Sequence, residues 1–160
     1  MLSLLVSSPE FHNGHTMRYD NSAWGGDHSP EIHIMGVPAK AATLAVTMVD
    51  EDVLGHHQRP HWVMWNIDPR DRIPGHILPG KHVTEIMGAV QGEVLGRHGY
   101  CGPKPTWLRR ITHHYVFTVY ALDNRLSLPT RANYHDFIHC IRGHVLCHGS
   151  LTGLFSPANK

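Results

Sequence analysis

Seven residues from four separated stretches could do chemistry together. Asp50 and Asp52 stand at the end of one apolar run, and His61 opens the next. His113 and Tyr115 begin a third, just after a Gly102-Pro103 turn. Imidazole N–H groups, a phenol O–H and turn amides are donors suited to a phosphate or carboxylate ligand. Neighbouring carboxylates would hold the imidazoles protonated or set their tautomer. Each residue alone has a plainer reading. His61 would be a core histidine with one hydrogen bond, Asp50 and Asp52 turn residues accepting backbone bonds, and Tyr115 strand filling. The case rests on their combination.

Other chemistries fit less well. His56, His57, His61, His113 and His114 invite a metal reading, but Gln58-Arg59-Pro60 breaks any helix that would align His57 with His61. No H-E-x-x-H or C-x-x-C pattern accompanies them, so no metal or other cofactor is expected. There is no G-x-S-x-G elbow and no phosphate-binding P-loop. An acid–base enzyme or hydrolase using His61, His113 and Asp50, and a His-rich metal binder, stand as the alternatives to a binding pocket. A net charge of +1 without a basic stripe disfavours nucleic acid. The 16 histidines make that charge pH-sensitive: with half of them protonated near pH 6.5 it reaches about +9.

The elements that must position these groups are mostly strands. Thr43 to Asp50 reads as one, with Leu44, Val46, Met48 and Asp50 sharing a parity. Residues 61 to 67 alternate, which predicts His61, Val63, Trp65 and Ile67 on one side and Trp62, Met64 and Asn66 on the other. Both sides are apolar, so this strand should be covered on both faces. His113 to Asp123 is a third strand, with His113, Tyr115, Phe117 and Val119 on one face. Between 75 and 105, seven glycines predict a long structured excursion that ends in Gly99-Tyr100-Cys101-Gly102-Pro103, whose amides could face a ligand.

The last third changes character. Asn133 with Asp136 three residues on predicts a helix cap, followed by Phe137, Ile138 and Ile141 at helical spacing and a stop at Gly143. A second short helix is expected around His144 to Cys147. At 160 residues the chain is expected to form a single domain, 1–160. No apolar run is long enough to span a bilayer, and Met1 to Ser7 lacks the basic start of a signal peptide. Cys101, Cys140 and Cys147 form no disulfide framework, so a cytoplasmic setting is the default, with a redox-active thiol as the minority reading.

Five pieces in order resemble one family. They are Met48-Val49-Asp50-Glu51-Asp52, His61-Trp62-Val63-Met64-Trp65-Asn66-Ile67, Gly99-Tyr100-Cys101-Gly102-Pro103, the run from His113 to Asp123, and Gly143-His144-Val145-Leu146 with Leu151-Thr152-Gly153. Together they resemble the phosphatidylethanolamine-binding protein (Raf kinase inhibitor protein) family, bacterial and archaeal branch, from about Ser8 to Phe155. The resemblance implies a mainly β fold, an antiparallel β-sandwich with short C-terminal helices. It also implies a non-enzymatic pocket for phosphate-like head groups formed by Asp50, Asp52, His61, Gly102, Pro103, His113 and Tyr115. Regulation of kinases or proteases by binding, and a homodimer, are further implications. This chain departs from the family pattern at Glu51 and Leu54, which stand where D-P-D-x-P has its prolines, at His114 in place of an arginine, and at Arg59 in place of an aromatic. The rim should therefore be more polar and more titratable.

Overall fold

The computed structural model describes residues 3–53, 58–105 and 110–159. Leu54, His56, His57 and the first two residues of the N-terminal reading lie outside them. In chain order the strands are β1 (Leu5–Ser7), β2 (His15–Thr16), β3 (Ile32–Met35), β4 (Thr43–Asp50), β5 (Arg59–Ile67) and β6 (Arg72–Ile73). They continue with β7 (Val90–Gln91), β8 (Glu93–Val94), β9 (Arg97–His98) and β10 (His113–Leu122), then helix α1 (Tyr134–Cys140) and β11 (Val145–Phe155).

Six strands form the main sheet in the order β2-β11-β10-β4-β5-β7, and β1-β3-β6 form a second sheet. All pairs are antiparallel except β2, which runs parallel to β11. The expected sandwich is therefore present, with one parallel edge. Every residue of β4 is buried, and so is β5 from His61 onward. Two apolar cores explain why. Leu44, Val46, Met48, Trp62, Met64 and Phe117 pack with Ile32, Ile34 and Ile73 of the smaller sheet. Ala45, Val63 and Trp65 pack on the opposite face with Leu126, Phe137 and Ile141. The two central strands thus lose their apolar surface to water on both sides, the largest favourable contribution to folding.

The alternation of β5 fails at its last residue. Ile67 joins Trp62 and Met64 in the first core instead of Val63 and Trp65. The reason is a bulge: Leu44 pairs with Ile67 but Val46 pairs with Met64, so β5 carries one residue more than β4 over this interval. Asn66 supplies it with a left-handed backbone, φ 58°. Its side-chain amide donates to Leu126 O at 3.0 Å and its carbonyl accepts from Leu126 N–H at 2.8 Å. Few residues other than glycine tolerate that conformation, and asparagine is the most common of them.

At the C-terminal end, α1 begins with the reciprocal cap expected of Asn133 and Asp136, and Gly143 turns left-handed after it at φ 80°. The second helix is absent. Residues 145–155 are instead one long strand, registered along the whole of β10 from Val145 opposite Leu122 to Phe155 opposite His113. The apolar triplet Val145-Leu146-Cys147 suits either structure, but β10 offers an unpaired edge that satisfies eleven residues of backbone at once.

Asn66→Ala removes both amide bonds and forces alanine into the left-handed region, so it should cost roughly 2–4 kcal/mol. Urea unfolding is the measurement. Asn66→Gly should recover the backbone part alone, and a loss below about 0.5 kcal/mol for alanine would mean the bulge is not a stability determinant.

Candidate functional site

The ends of β4, β5 and β10 meet at one corner of the main sheet. There Tyr115 pairs with Asp50, and Asp50 pairs with Arg59. A second bulge lies one step inward. Met48 pairs with Trp62 and Val49 with Pro60, which leaves His61 as the extra residue. The bulge re-aims the imidazole, so that His61 shares a cavity of about 370 Å³ with Asp50, Asp52, Gly102, His113 and Tyr115. Of the seven residues singled out in the sequence, Pro103 alone does not line it. Arg59, Arg97 and Lys104 add three exposed cations.

Asp50 is buried and fully engaged. One carboxylate oxygen accepts the Asp52 N–H at 2.9 Å, and the other accepts Nδ1–H of His113 at 2.8 Å. The phenol of Tyr115 also hydrogen-bonds it. That contact sets the His113 tautomer, because only a protonated Nδ1 can face an ionised carboxylate; Nε2 is left for a ligand. Burial first, then the Asp50 charge, pushes the Tyr115 phenol far above its ordinary range, so it is a hydrogen-bond donor at any physiological pH.

His61 is held differently. Its Nδ1 lies 2.6 Å from the Cys101 carbonyl, and the Cys101 N–H returns a bond to the His61 carbonyl at 3.0 Å. Burial lowers its pKa, and the Cys101 carbonyl and the more distant Asp50 offset only part of that. Burial therefore favours the neutral imidazole, with Nδ1–H fixed and the lone pair on Nε2, and the Cys101 carbonyl rather than a carboxylate, expected to hold the ring protonated or set its tautomer, selects the tautomer. Its ring meets Tyr115 edge-on at 5.4 Å, and Tyr115 stacks with His113 at 6.1 Å, so the three rings brace one another.

Asp52 has a bracing role. It accepts both the His114 N–H at 2.6 Å and the His114 Nδ1 at 2.8 Å. Partial burial opposes its ionisation, but these bonds outweigh it and hold the carboxyl below its usual range. His114 thus latches the end of β4 to the start of β10 from outside the cavity.

The amides of Cys101 and Gly102 do not face the cavity as donors. The Gly102 N–H goes to Asp27 Oδ1 at 2.7 Å, the Cys101 N–H to His61, and Pro103 has none. The turn is stitched to the loop 21–27 instead: Tyr100 O–H donates to Asn21 O at 2.7 Å, and Ala23 N–H to Pro103 O at 2.9 Å. Sequence reasoning missed Asp27 and Arg97, which complete this brace. Asp27 sits at φ 57°, and Arg97 reaches its other oxygen at 3.3 Å and the Cys101 sulfur at 3.3 Å. No local motif marks either; both partners are about seventy residues away in the chain.

A Cβ on Gly102 would lie 2.4 Å from the Asn21 carbonyl. Gly102→Ala must push the turn off the loop and with it the carbonyl that holds His61. We expect a loss of about 1–3 kcal/mol in thermal or urea unfolding, the usual cost of overpacking. The His61 imidazole resonances should shift as well; unchanged stability and unchanged resonances would show that the brace is not needed.

Comparison with known proteins bears on this geometry. A model of the family described as phosphatidylethanolamine-binding protein matches residues 7–156. A UPF0098 protein of Pyrococcus horikoshii is 35% identical over 156 residues, covering 96% of this chain and 77% of that protein. A UPF0098 protein of Chlamydia muridarum is 26% identical over 154 residues, covering 94% and 97%. Among solved structures, one from Chlamydia trachomatis, described as a homolog of the same family, superposes with a TM-score of 0.84 at 26% identity, covering 96% of this chain and 97% of that one. Escherichia coli YbcL superposes at 0.80 with 24% identity, covering 97% and 99%, a likeness of fold. With the family model spanning nearly all of the chain, this protein belongs to the phosphatidylethanolamine-binding protein family.

Proposed function

We propose that this protein is a non-enzymatic binding module whose corner cavity takes a small phosphate- or carboxylate-bearing ligand, a phospholipid head group included. The observation that carries the reading is His61. It is buried with Nδ1 committed to Cys101, and Nε2 is free to meet a ligand. His113 presents Nε2 in the same cavity, Tyr115 braces both imidazoles with its O–H turned to Asp50, and Arg59 and Lys104 add positive charge while Arg97 pairs with Asp27. Asp50 and Asp52 do not repel an anion strongly, because His113, His114 and backbone N–H groups already engage them. Family membership supports ligand binding in general; the phosphate and carboxylate specificity rests on these side chains.

Nucleophilic catalysis has little to work with among the described residues of the cavity. Burial raises the Cys101 thiol, and the Tyr115 phenol is raised further, so neither is activated. The three free cysteines fit a reducing compartment, and among the described residues no helix is long and apolar enough to cross a membrane. A role in restraining kinases or proteases is the finer reading that family resemblance adds.

The pH dependence follows from His61. Burial shifts its free imidazole toward the neutral form. An anion at Nε2 favours the protonated ring and raises its pKa, so binding takes up a proton. Affinity should therefore be greatest at low pH and fall as pH rises between the free and bound values. Calorimetric titration of acetate, which stays ionised throughout, should show several-fold tighter binding at pH 6 than at pH 8. Phosphate and phosphorylethanolamine should bind more tightly than acetate. His61→Ala should weaken all three by about tenfold and flatten the pH dependence. Binding indifferent to His61, or absent at both pH values, would defeat the proposal; turnover of any of these compounds would replace it with an enzyme.

A further inference from the structure

A second cluster lies on the other side of the 21–27 loop. Asp20 stands in the short turn before that loop, His28 just after it, and His76 in the long excursion beyond β6. His28 Nδ1 is 2.8 Å from Asp20 Oδ2, and His76 Nε2 is 3.8 Å from the same oxygen. The two imidazoles stack face to face, with centroids 3.9 Å apart. All three donor atoms fall within 4.8 Å of one another.

Several features hold these groups in place. The His28 N–H donates to the Asp20 carbonyl at 3.0 Å, and the fully buried Asn21 donates to the His28 carbonyl at 3.0 Å. His76 adopts a left-handed backbone, φ 58°, and its N–H is tied to Ser29 O at 2.9 Å. An imidazole-bearing residue is costly in that conformation, and here the conformation brings its ring over His28. The loop passes so near the donors that a Cβ on Gly26 would lie 2.4 Å from Asp20 Oδ1 and 2.7 Å from His28 Nδ1. Glycine leaves the donor atoms their space.

We propose that Asp20, His28 and His76 form a binding site for a divalent transition-metal ion that favours imidazole, zinc being the type case. Around tetrahedral zinc, with bonds of about 2.0–2.1 Å, neighbouring ligand atoms lie roughly 3.3 Å apart. The 2.8 Å and 3.8 Å separations from Asp20 Oδ2 straddle that value, and all three donor atoms lie within 4.8 Å, so the site closes by side-chain rotation that swings the stacked rings apart until both lone pairs point at the ion. The metal takes the place of the hydrogen between His28 Nδ1 and Asp20 Oδ2, and the neutral ring then carries its single N–H on Nε2. Two imidazoles and one carboxylate complete three positions. His28 and His76 also line a cleft of about 430 Å³ with Leu78, His98 and Tyr100, which gives room for water or a further ligand in a fourth position. Sequence spacing of 20, 28 and 76 matches no metal motif, so the site exists only through the fold.

The test uses the full chain without a His tag, stripped of metal by chelation and titrated with Zn²⁺ against a chromophoric competitor. One zinc per chain should bind more tightly than the background from the remaining histidines. His28→Gln and His76→Asn should each weaken that site at least tenfold, and the double variant should abolish it. Asparagine suits the left-handed position, and all three side chains are about half exposed, so the metal-free variants should melt as the wild type does. His12→Gln/His15→Gln, which removes the edge-on His12–His15 pair, should leave the tight site intact. Co²⁺ should give the strong visible absorption of four-coordinate geometry in the wild type only. A tight site that survives the 28/76 double variant, or a wild type that binds zinc no better than that variant, would overturn the proposal.

Discussion

The buried Asp50 carboxylate is the contact on which the corner of the sheet depends. It closes the turn after β4 through the Asp52 N–H, orients His113 at the start of β10, and holds the Tyr115 phenol. A carboxylate at that depth is tolerable because every partner donates to it, which offsets the loss of water. His113 and Tyr115 are consequently fixed in tautomer and orientation. A ligand entering the cavity meets groups that are already arranged, which lowers the ordering cost of binding.

Two bulges in β5 do the remaining positioning, and they act in opposite directions. The bulge at His61 turns a side chain that would otherwise follow Val63 and Trp65 toward the corner cavity. The bulge at Asn66 returns Ile67 to the core from which simple alternation would have removed it. Each is stabilised by hydrogen bonds from a distant segment: the Cys101 backbone in the first case and the Leu126 backbone in the second. A fully buried strand can carry such irregularities only where its unpaired polar groups find partners. This ties the shape of the cavity to the packing of the loops that flank it.

The loop 20–28 connects the two functional readings. On one side Asp27 and Ala23 brace the turn that carries Cys101 and Gly102. On the other, Asp20 and His28 converge with His76. The same backbone therefore shapes the wall of the anion cavity and the proposed metal site. The large histidine content is divided accordingly. Several imidazoles pair singly with carboxylates at the surface, as His144 does with Asp123, and two sit in the cavity wall.

Much of this was legible in the sequence because it depends on local pattern. The alternation in β4 and β10, the cap of α1 by Asn133 and Asp136, and the identity of most residues around the cavity all follow from spacing and residue type, and the same motifs carry the family. The sequence could not show that residues 145–155 are strand, because an apolar triplet suits helix and sheet alike until the free edge of β10 is present. Nor could it show that burial shifts His61 toward its neutral form, that Asp27 and Arg97 take the groups of the Gly99–Pro103 turn, or that Asp20, His28 and His76 meet. These depend on side chains brought together across as many as seventy-five residues and on how far water is excluded from them. Periodicity carries neither kind of information; only the packed chain does.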